Sequence, residues 1–184
     1  MVRLPLPLQK KLAFIFPDTR ERDQFVATVV SNALEKNVSV EPDRAPTAIG
    51  GELHLYTDGG SRGNPGQAAI GCVLLDPHDG RVLKESYERI GIETNNIAEY
   101  RALIEGLKMA GEFQPNHLVC HLDSELVVKQ LNGEYRVKMP TFQPLIEEIL
   151  RLKSELRSVQ FVAIPRSKNA RADALVNRAL DAKE

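Results

Sequence analysis

Four acidic residues stand in four separate settings: Asp58 in Tyr56-Thr57-Asp58-Gly59-Gly60, Glu99 in Asn95-Asn96-Ile97-Ala98-Glu99-Tyr100, Asp123 in His121-Leu122-Asp123-Ser124, and Asp173 in Ala170-Arg171-Ala172-Asp173-Ala174. A dispersed set of carboxylates offers hard oxygen ligands only, which suits Mg²⁺ or Mn²⁺ and not zinc. Hard divalent cations held by carboxylates point to phosphoryl chemistry. Asn95 precedes Glu99 by four positions, and Asn169 precedes Asp173 by four. On a helix, or at its start, that spacing puts amide and carboxylate on one side, so the amides can touch what the cations hold.

The elements that must bring these groups together are legible from periodicity. Glu52 to Asp58, Ala68 to Leu75 and Arg81 to Ile90 read as strands, joined by a Gly-rich loop at 59 to 66 and by the turn signal Pro77-His78-Asp79-Gly80. Three sequential strands with short connections predict an antiparallel meander. A helix follows from about Asn96 to Glu112, with the apolar face Ile97, Tyr100, Ile104, Leu107, and then a strand from His117 to Asp123. Ser124 is placed to cap a short helix over Glu125 to Leu131. Helical spacing returns from Thr141 to Leu156, then a strand at Val159 to Ile164 and a last helix from about Ala170 to Ala182. The order predicts a mixed α/β domain with helices on the faces of a mixed sheet. Asp58 and Asp123 then end neighbouring parallel strands.

Residues 1 to 48 read as a small strand-helix-strand extension, with a linker at 41 to 51 and the larger domain from 51 to 184. Its helix opens on Asp18 with Glu21 three residues on, a capping-box pattern, and carries the stripe Phe25, Val29, Ala33. A unit that short buries little surface alone. The stripe is therefore expected to pack on the main domain or on a second copy, giving a monomer or a homodimer through the extension.

Composition narrows the class without choosing it. The 184 residues are 42% hydrophobic, enough for one well-buried domain and an appendage. The apolar run Leu12 to Phe16 is too short for a membrane span, so no membrane partner is expected. Cys72 and Cys120 lie in strand-like runs without metal or redox spacing, as buried thiols of a reducing cytoplasm would. The net charge of -1 does not mark a nucleic-acid binder. Neutralising the four carboxylates with cations would tip the larger domain slightly positive, so the basic residues must be judged by position.

Taken together, Thr57-Asp58-Gly59-Gly60-Ser61-Arg62-Gly63-Asn64-Pro65-Gly66, Thr94-Asn95-Asn96-Ile97-Ala98-Glu99-Tyr100, Asp123-Ser124-Glu125-Leu126-Val127 and Asn169-Ala170-Arg171-Ala172-Asp173 resemble type 1 ribonuclease H, over about Gly51 to Asp181. The resemblance implies the RNase H-like fold: a five-stranded mixed sheet, a three-strand antiparallel meander plus two parallel strands, flanked by helices. It implies an endoribonuclease that hydrolyses the RNA strand of an RNA/DNA hybrid, leaving 5′-phosphate and 3′-hydroxyl ends. Asp58, Glu99, Asp123 and Asp173 would hold two Mg²⁺ ions, with Mn²⁺ able to substitute. Gly59, Gly60, Gly63 and Gly66 would permit close backbone approach of the substrate, and the resemblance implies that Asn64, Asn95, Asn96 and Glu125 line the minor groove, with Asn169 beside the cleavage site. Sensing the 2′-hydroxyl is what such a surface must do to tell RNA from DNA.

Two departures from the best-known bacterial members stand out. The loop before Asp173 has Arg166 and Lys168 where those carry a His, and both are candidates for phosphate contacts. Only Gly133 to Met139 is available where those carry a basic protrusion, so the chain resembles the branch without it. The four histidines are expected to serve structure. A DNA-directed nuclease or resolvase of the same fold and a non-catalytic nucleic-acid-binding module are the alternatives. The first would not need the Asn95-Asn96 pair, and the second would be expected to have lost a carboxylate.

Overall fold

The structure is a computed structural model and describes residues 51–137 and 139–182. The readings made for residues 1 to 48 and for the linker up to residue 50 lie outside the described residues.

Five strands form one sheet: β1 (Glu52–Gly63), β2 (Gly66–Leu75), β3 (Val82–Glu93), β4 (His117–Leu122) and β5 (Val159–Ala163), in the order β3-β2-β1-β4-β5. The first three are antiparallel neighbours, and β1-β4 and β4-β5 are parallel, so the expected mixed sheet is the observed one. Among the described residues four α-helices accompany the sheet: α1 (Asn95–Gly111), α2 (Glu125–Leu131), α3 (Gln143–Glu155) and α4 (Ala170–Asp181). No helix among the described residues is long and apolar enough to cross a membrane.

Alternation along β1 assigns the helices to faces. A Cβ added at Gly59 would meet Ala98 of α1, and one added at Gly60 would meet Val176 of α4. Successive strand residues point to opposite faces, so α1 and α4 cover opposite sides of the sheet. On α1's side lies the main core, with Leu53, Leu55, Cys72, Leu74, Leu103, Leu118, Cys120 and Phe161 packed with Ile149 and Leu152 of α3. Under α4 a smaller cluster joins Ala69, Val176, Ala179 and Leu180. Both cysteines are buried and unpaired, as read from the sequence.

Two local readings are corrected. The Gly-rich stretch 59 to 66 is no loop, because β1 runs on through Gly63, pairing Gly59 with Ile70 and Gly60 with Ala69, and turns at Asn64-Pro65 into β2. The strand continues because glycines there let helices lie directly on it. The first helix begins one residue earlier than expected, at Asn95. Thr94 is its N-cap, the hydroxyl Oγ1 accepting the Ile97 N–H at 3.3 Å. Ser124 does occupy the N-cap position of α2 but caps with its backbone carbonyl only, accepting from Val128 N–H at 3.1 Å.

Candidate metal and nucleic-acid site

Parallel pairing sets the first two carboxylates side by side. β1 and β4 run in register from Glu52/His117 to Thr57/Leu122, so Asp58 and Asp123 follow at the same level of the sheet. Glu99 arrives from α1, and the approach that delivers it needs a residue without a side chain. A Cβ at Gly59 would stand 2.1 Å from the carbonyl carbon of Ala98, which precedes Glu99. Glycine lets the helix backbone touch the strand backbone at that point. Gly71, the cross-strand neighbour of Asp58, does the same for α4, where a Cβ would fall 2.5 Å from the carbonyl oxygen of Ala172. Asp173 is the next residue.

Carboxylate oxygens of Asp58, Glu99 and Asp123 lie within 4.8 Å of one another. Asp58 and Glu99 are 5% and 6% exposed. Burial, with the charges of Asp123 and Asp173, pushes the Asp58 carboxyl up to about 6, against a partial offset from Arg166 and the Gly59 N–H. Burial, with the charges of Asp58 and Asp123, pushes Glu99 up to about 9. Asp58 is thus coupled to all three other acids. Glu99 Oε2 is buried and has no hydrogen-bond partner among the described residues. Desolvated, mutually repelling carboxylates with an orphaned oxygen are what a hard divalent cation would satisfy, and the all-oxygen donor set suits one.

Asp173 stands apart from that trio while lining the same cleft. Its Oδ1 accepts from Arg166 Nη2 at 2.7 Å and its Oδ2 from Asn177 Nδ2 at 3.0 Å. The cleft is about 290 Å³ and is lined by the four acids with Gly59, Gly60, Ser61, Arg62, Asn95, Arg166 and Asn177, among others. A larger cavity of about 530 Å³, around Leu107, Asn116 and Leu156, carries Glu155 as its sole acid and takes no part in the cluster.

The structure distributes the other candidates unevenly. Asn95 and Asn96 are exposed at the start of α1, and the Asn95 N–H donates to Asn64 Oδ1 at 3.3 Å, tying the β1-β2 turn to the helix. Gly59 and Gly60 line the cleft, although the missing side chains are spent on α1 and α4. Glu125 is exposed, and its carboxylate is paired with Lys129 at 2.7 Å. Arg166 lines the cleft, whereas Lys168 lines a separate cavity with Tyr56, Val73, Leu75 and Arg171. Asn169 is 1% exposed, and its amide is turned inward, donating to the Thr57 carbonyl at 2.9 Å and reaching Asp123 Oδ1 at 3.4 Å. It ties the end of β1 to the carboxylate after β4. No histidine lines the cleft, and His54 and His121 contact each other at 3.2 Å instead.

Sequence reading missed Asn177. The four-residue spacing that linked Asn95 to Glu99 and Asn169 to Asp173 also links Asp173 forward to Asn177, one turn on, and was the available signal.

Comparison with known proteins follows the same residues. A family model described as "Reverse transcriptase-like" matches residues 56–179. Ribonuclease HI of Halobacterium salinarum is 42% identical over 142 residues, 77% of this chain and 68% of that protein. A bifunctional protein of Mycobacterium tuberculosis is 43% identical over 128 residues, 70% of this chain and 35% of that protein, so the chain spans about a third of its length. Among solved structures, RNase H1 from Halobacterium salinarum superposes with a TM-score of 0.68 at 42% identity, covering 71% of this chain and 98% of that one. LC11-RNase H1, solved in complex with an RNA/DNA hybrid, gives 0.67 at 46% identity, covering 70% and 96%.

Proposed function

The chain belongs to the ribonuclease H-like family, and from that membership we propose that it is an endoribonuclease that hydrolyses the RNA strand of RNA/DNA hybrids, leaving 5′-phosphate and 3′-hydroxyl ends. The observation that carries the reading is the convergence of buried Asp58 and Glu99 with half-buried Asp123, one Glu99 oxygen lacking a partner, in a cleft that Asp173 and Asn95 also line. A relative sharing 46% of its residues was solved with an RNA/DNA hybrid, which supports the substrate class.

Asp58, Glu99, Asp123 and Asp173 are the residues that would hold two Mg²⁺ ions. Bound there, the ions would supply Lewis-acid activation of a water and stabilisation of the departing 3′-oxygen. No side chain is required as a nucleophile. The protein's own share is to position and to select. Asn169 holds Asp123 to the end of β1, and burial with the charges of Asp123 and Asp173 holds the Asp58 carboxyl above its ordinary range, a cost that bound cations would relieve. Arg166, at the cleft wall, is placed to meet a phosphate. Asn64, Asn95 and Asn96 present short amides on the rim, suited to the 2′-hydroxyl that separates RNA from DNA.

The test is cleavage of matched RNA/DNA, RNA/RNA and DNA/DNA duplexes, labelled on each strand, with Mg²⁺, Mn²⁺ or EDTA, beside Asp58→Asn. The expected outcome is metal-dependent loss of the hybrid's RNA strand alone, with none in the variant. Cleavage of DNA would transfer the site to the DNA-directed class. Binding without any cleavage would leave a nucleic-acid-binding module.

A further inference from the structure

Asp173 is treated differently from the other three acids, and the difference lies on its own helix. Each of its carboxylate oxygens has one donor: Arg166 on Oδ1 at 2.7 Å, Asn177 on Oδ2 at 3.0 Å. The two donors are unequal. Arg166 is 77% exposed and comes from the segment before α4, and an ion pair so open to water is worth little and exchanges readily. Asn177 sits on α4 itself, and its amide is anchored twice, donating also to the Asp173 main-chain carbonyl at 2.9 Å. It is neutral, so it fixes the carboxylate without cancelling its charge. It also lines the cleft.

We propose that Asn177 is the positioning residue for Asp173, holding Oδ2 so that Oδ1 faces the cleft and becomes available to a divalent cation when Arg166 lets go. The inference rests on the ribonuclease reading for its consequence in catalysis, but its first consequence is for cation affinity, which is measured without substrate. Groups that orient a metal ligand through a hydrogen bond commonly govern metal affinity or activity by about 10- to 100-fold. The bland alternative is that Asn177 merely back-bonds to a helix carbonyl, as short polar side chains do. That role would leave cation binding untouched.

The experiment compares the full-length wild type with Asn177→Ala and Asn177→Gln. Calorimetric titration with Mn²⁺, melting temperature in EDTA, and the Mg²⁺ dependence of hybrid cleavage are read in parallel. The expected result is a metal-free melting temperature unchanged in Asn177→Ala, since the position is an exposed helix site where alanine is well accepted. Mn²⁺ affinity falls about tenfold and half-saturating Mg²⁺ rises correspondingly, while KM for the hybrid holds. Asn177→Gln, which keeps an amide donor, recovers most of the loss. Wild-type Mn²⁺ affinity in Asn177→Ala overturns the proposal. So does a loss of cation affinity that tracks a lowered metal-free melting temperature, or one that glutamine fails to repair. A wild type that binds Mn²⁺ but cuts no hybrid defeats the ribonuclease reading and leaves the comparison of variants decisive.

Discussion

Asp58 shows the conflict that the cleft builds into single residues. Burial and the charges of Asp123 and Asp173 push its carboxyl up to about 6 from 3.8, so in the metal-free protein its ionisation works against the fold. Asp58→Asn removes that charge at nearly constant shape. The metal-free protein should gain on the order of 1–2 kcal/mol at neutral pH, after discounting for residual solvation. The same variant should lose hybrid cleavage to background and lose most of the stabilisation that Mg²⁺ gives the wild type. Calorimetric melting with and without Mg²⁺ checks the first and last points together, and a destabilised metal-free variant would contradict the electrostatic account. The two cations before Asp173 separate at this scale too. Arg166 lines the cleft and Lys168 does not. Arg166→Ala should therefore weaken cleavage by about tenfold or more, as expected for a charge-assisted phosphate contact. Lys168→Ala should stay within about twofold, the scale of an exposed charge that makes no direct contact. Steady-state kinetics on one hybrid distinguishes them.

At the scale of elements, the site exists because helices reach strands at two glycines. A methyl at Gly59 would stand 2.1 Å from the Ala98 carbonyl carbon, and one at Gly71 would stand 2.5 Å from the Ala172 carbonyl oxygen. Neither neighbour is a flexible side-chain tip. Gly59→Ala should therefore cost about 3 kcal/mol or more and push Glu99 away from Asp58, whereas Gly111→Ala, with nothing within 4 Å, should be neutral to within about 0.5 kcal/mol. Equal melting temperatures for the two variants would refute the close-approach argument. The same glycines explain what the sequence concealed. Strand and helix order, the parallel placement of Asp58 beside Asp123, and the helix that carries Glu99 were all readable from apolar periodicity. The run Gly59 to Gly66 was not, because glycine has no hydropathy signal and its density imitates a loop. Here it marks a strand pressed by helices on both faces. The inward turn of Asn169 was hidden for a related reason. Sequence places it beside Asp173, but only the fold shows its amide buried against Thr57 and Asp123. Polar residues that serve the interior look the same in sequence as those that serve a ligand.

For the molecule as a whole, acid-base balance and cation binding should pull stability in opposite directions. Asp58 and Glu99 have folded values near 6 and 9, above their ordinary 3.8 and 4.5. The folded state therefore holds these protons more tightly than the unfolded chain does. The stability they contribute is full below about pH 4 and is lost as pH rises through 6 and on toward 9. His121 acts at the other end. Burial, helped by the neighbouring His54, lowers it from 6.5 to about 4. Its share of stability is present above pH 6.5 and lost as pH falls toward 4. The metal-free melting curve thus mixes two opposed trends between pH 4 and 6.5, and alone it would identify neither. The difference between Mg²⁺-saturated and EDTA-treated protein separates them, because His121 does not line the cleft and contributes alike to both. Cations bind the deprotonated cluster, so the gain from Mg²⁺ should be small near pH 5 and should grow steadily to pH 9. Scanning calorimetry across that range reads it directly. Parallel curves, with a Mg²⁺ gain independent of pH, would mean that the cation is held somewhere other than by Asp58 and Glu99.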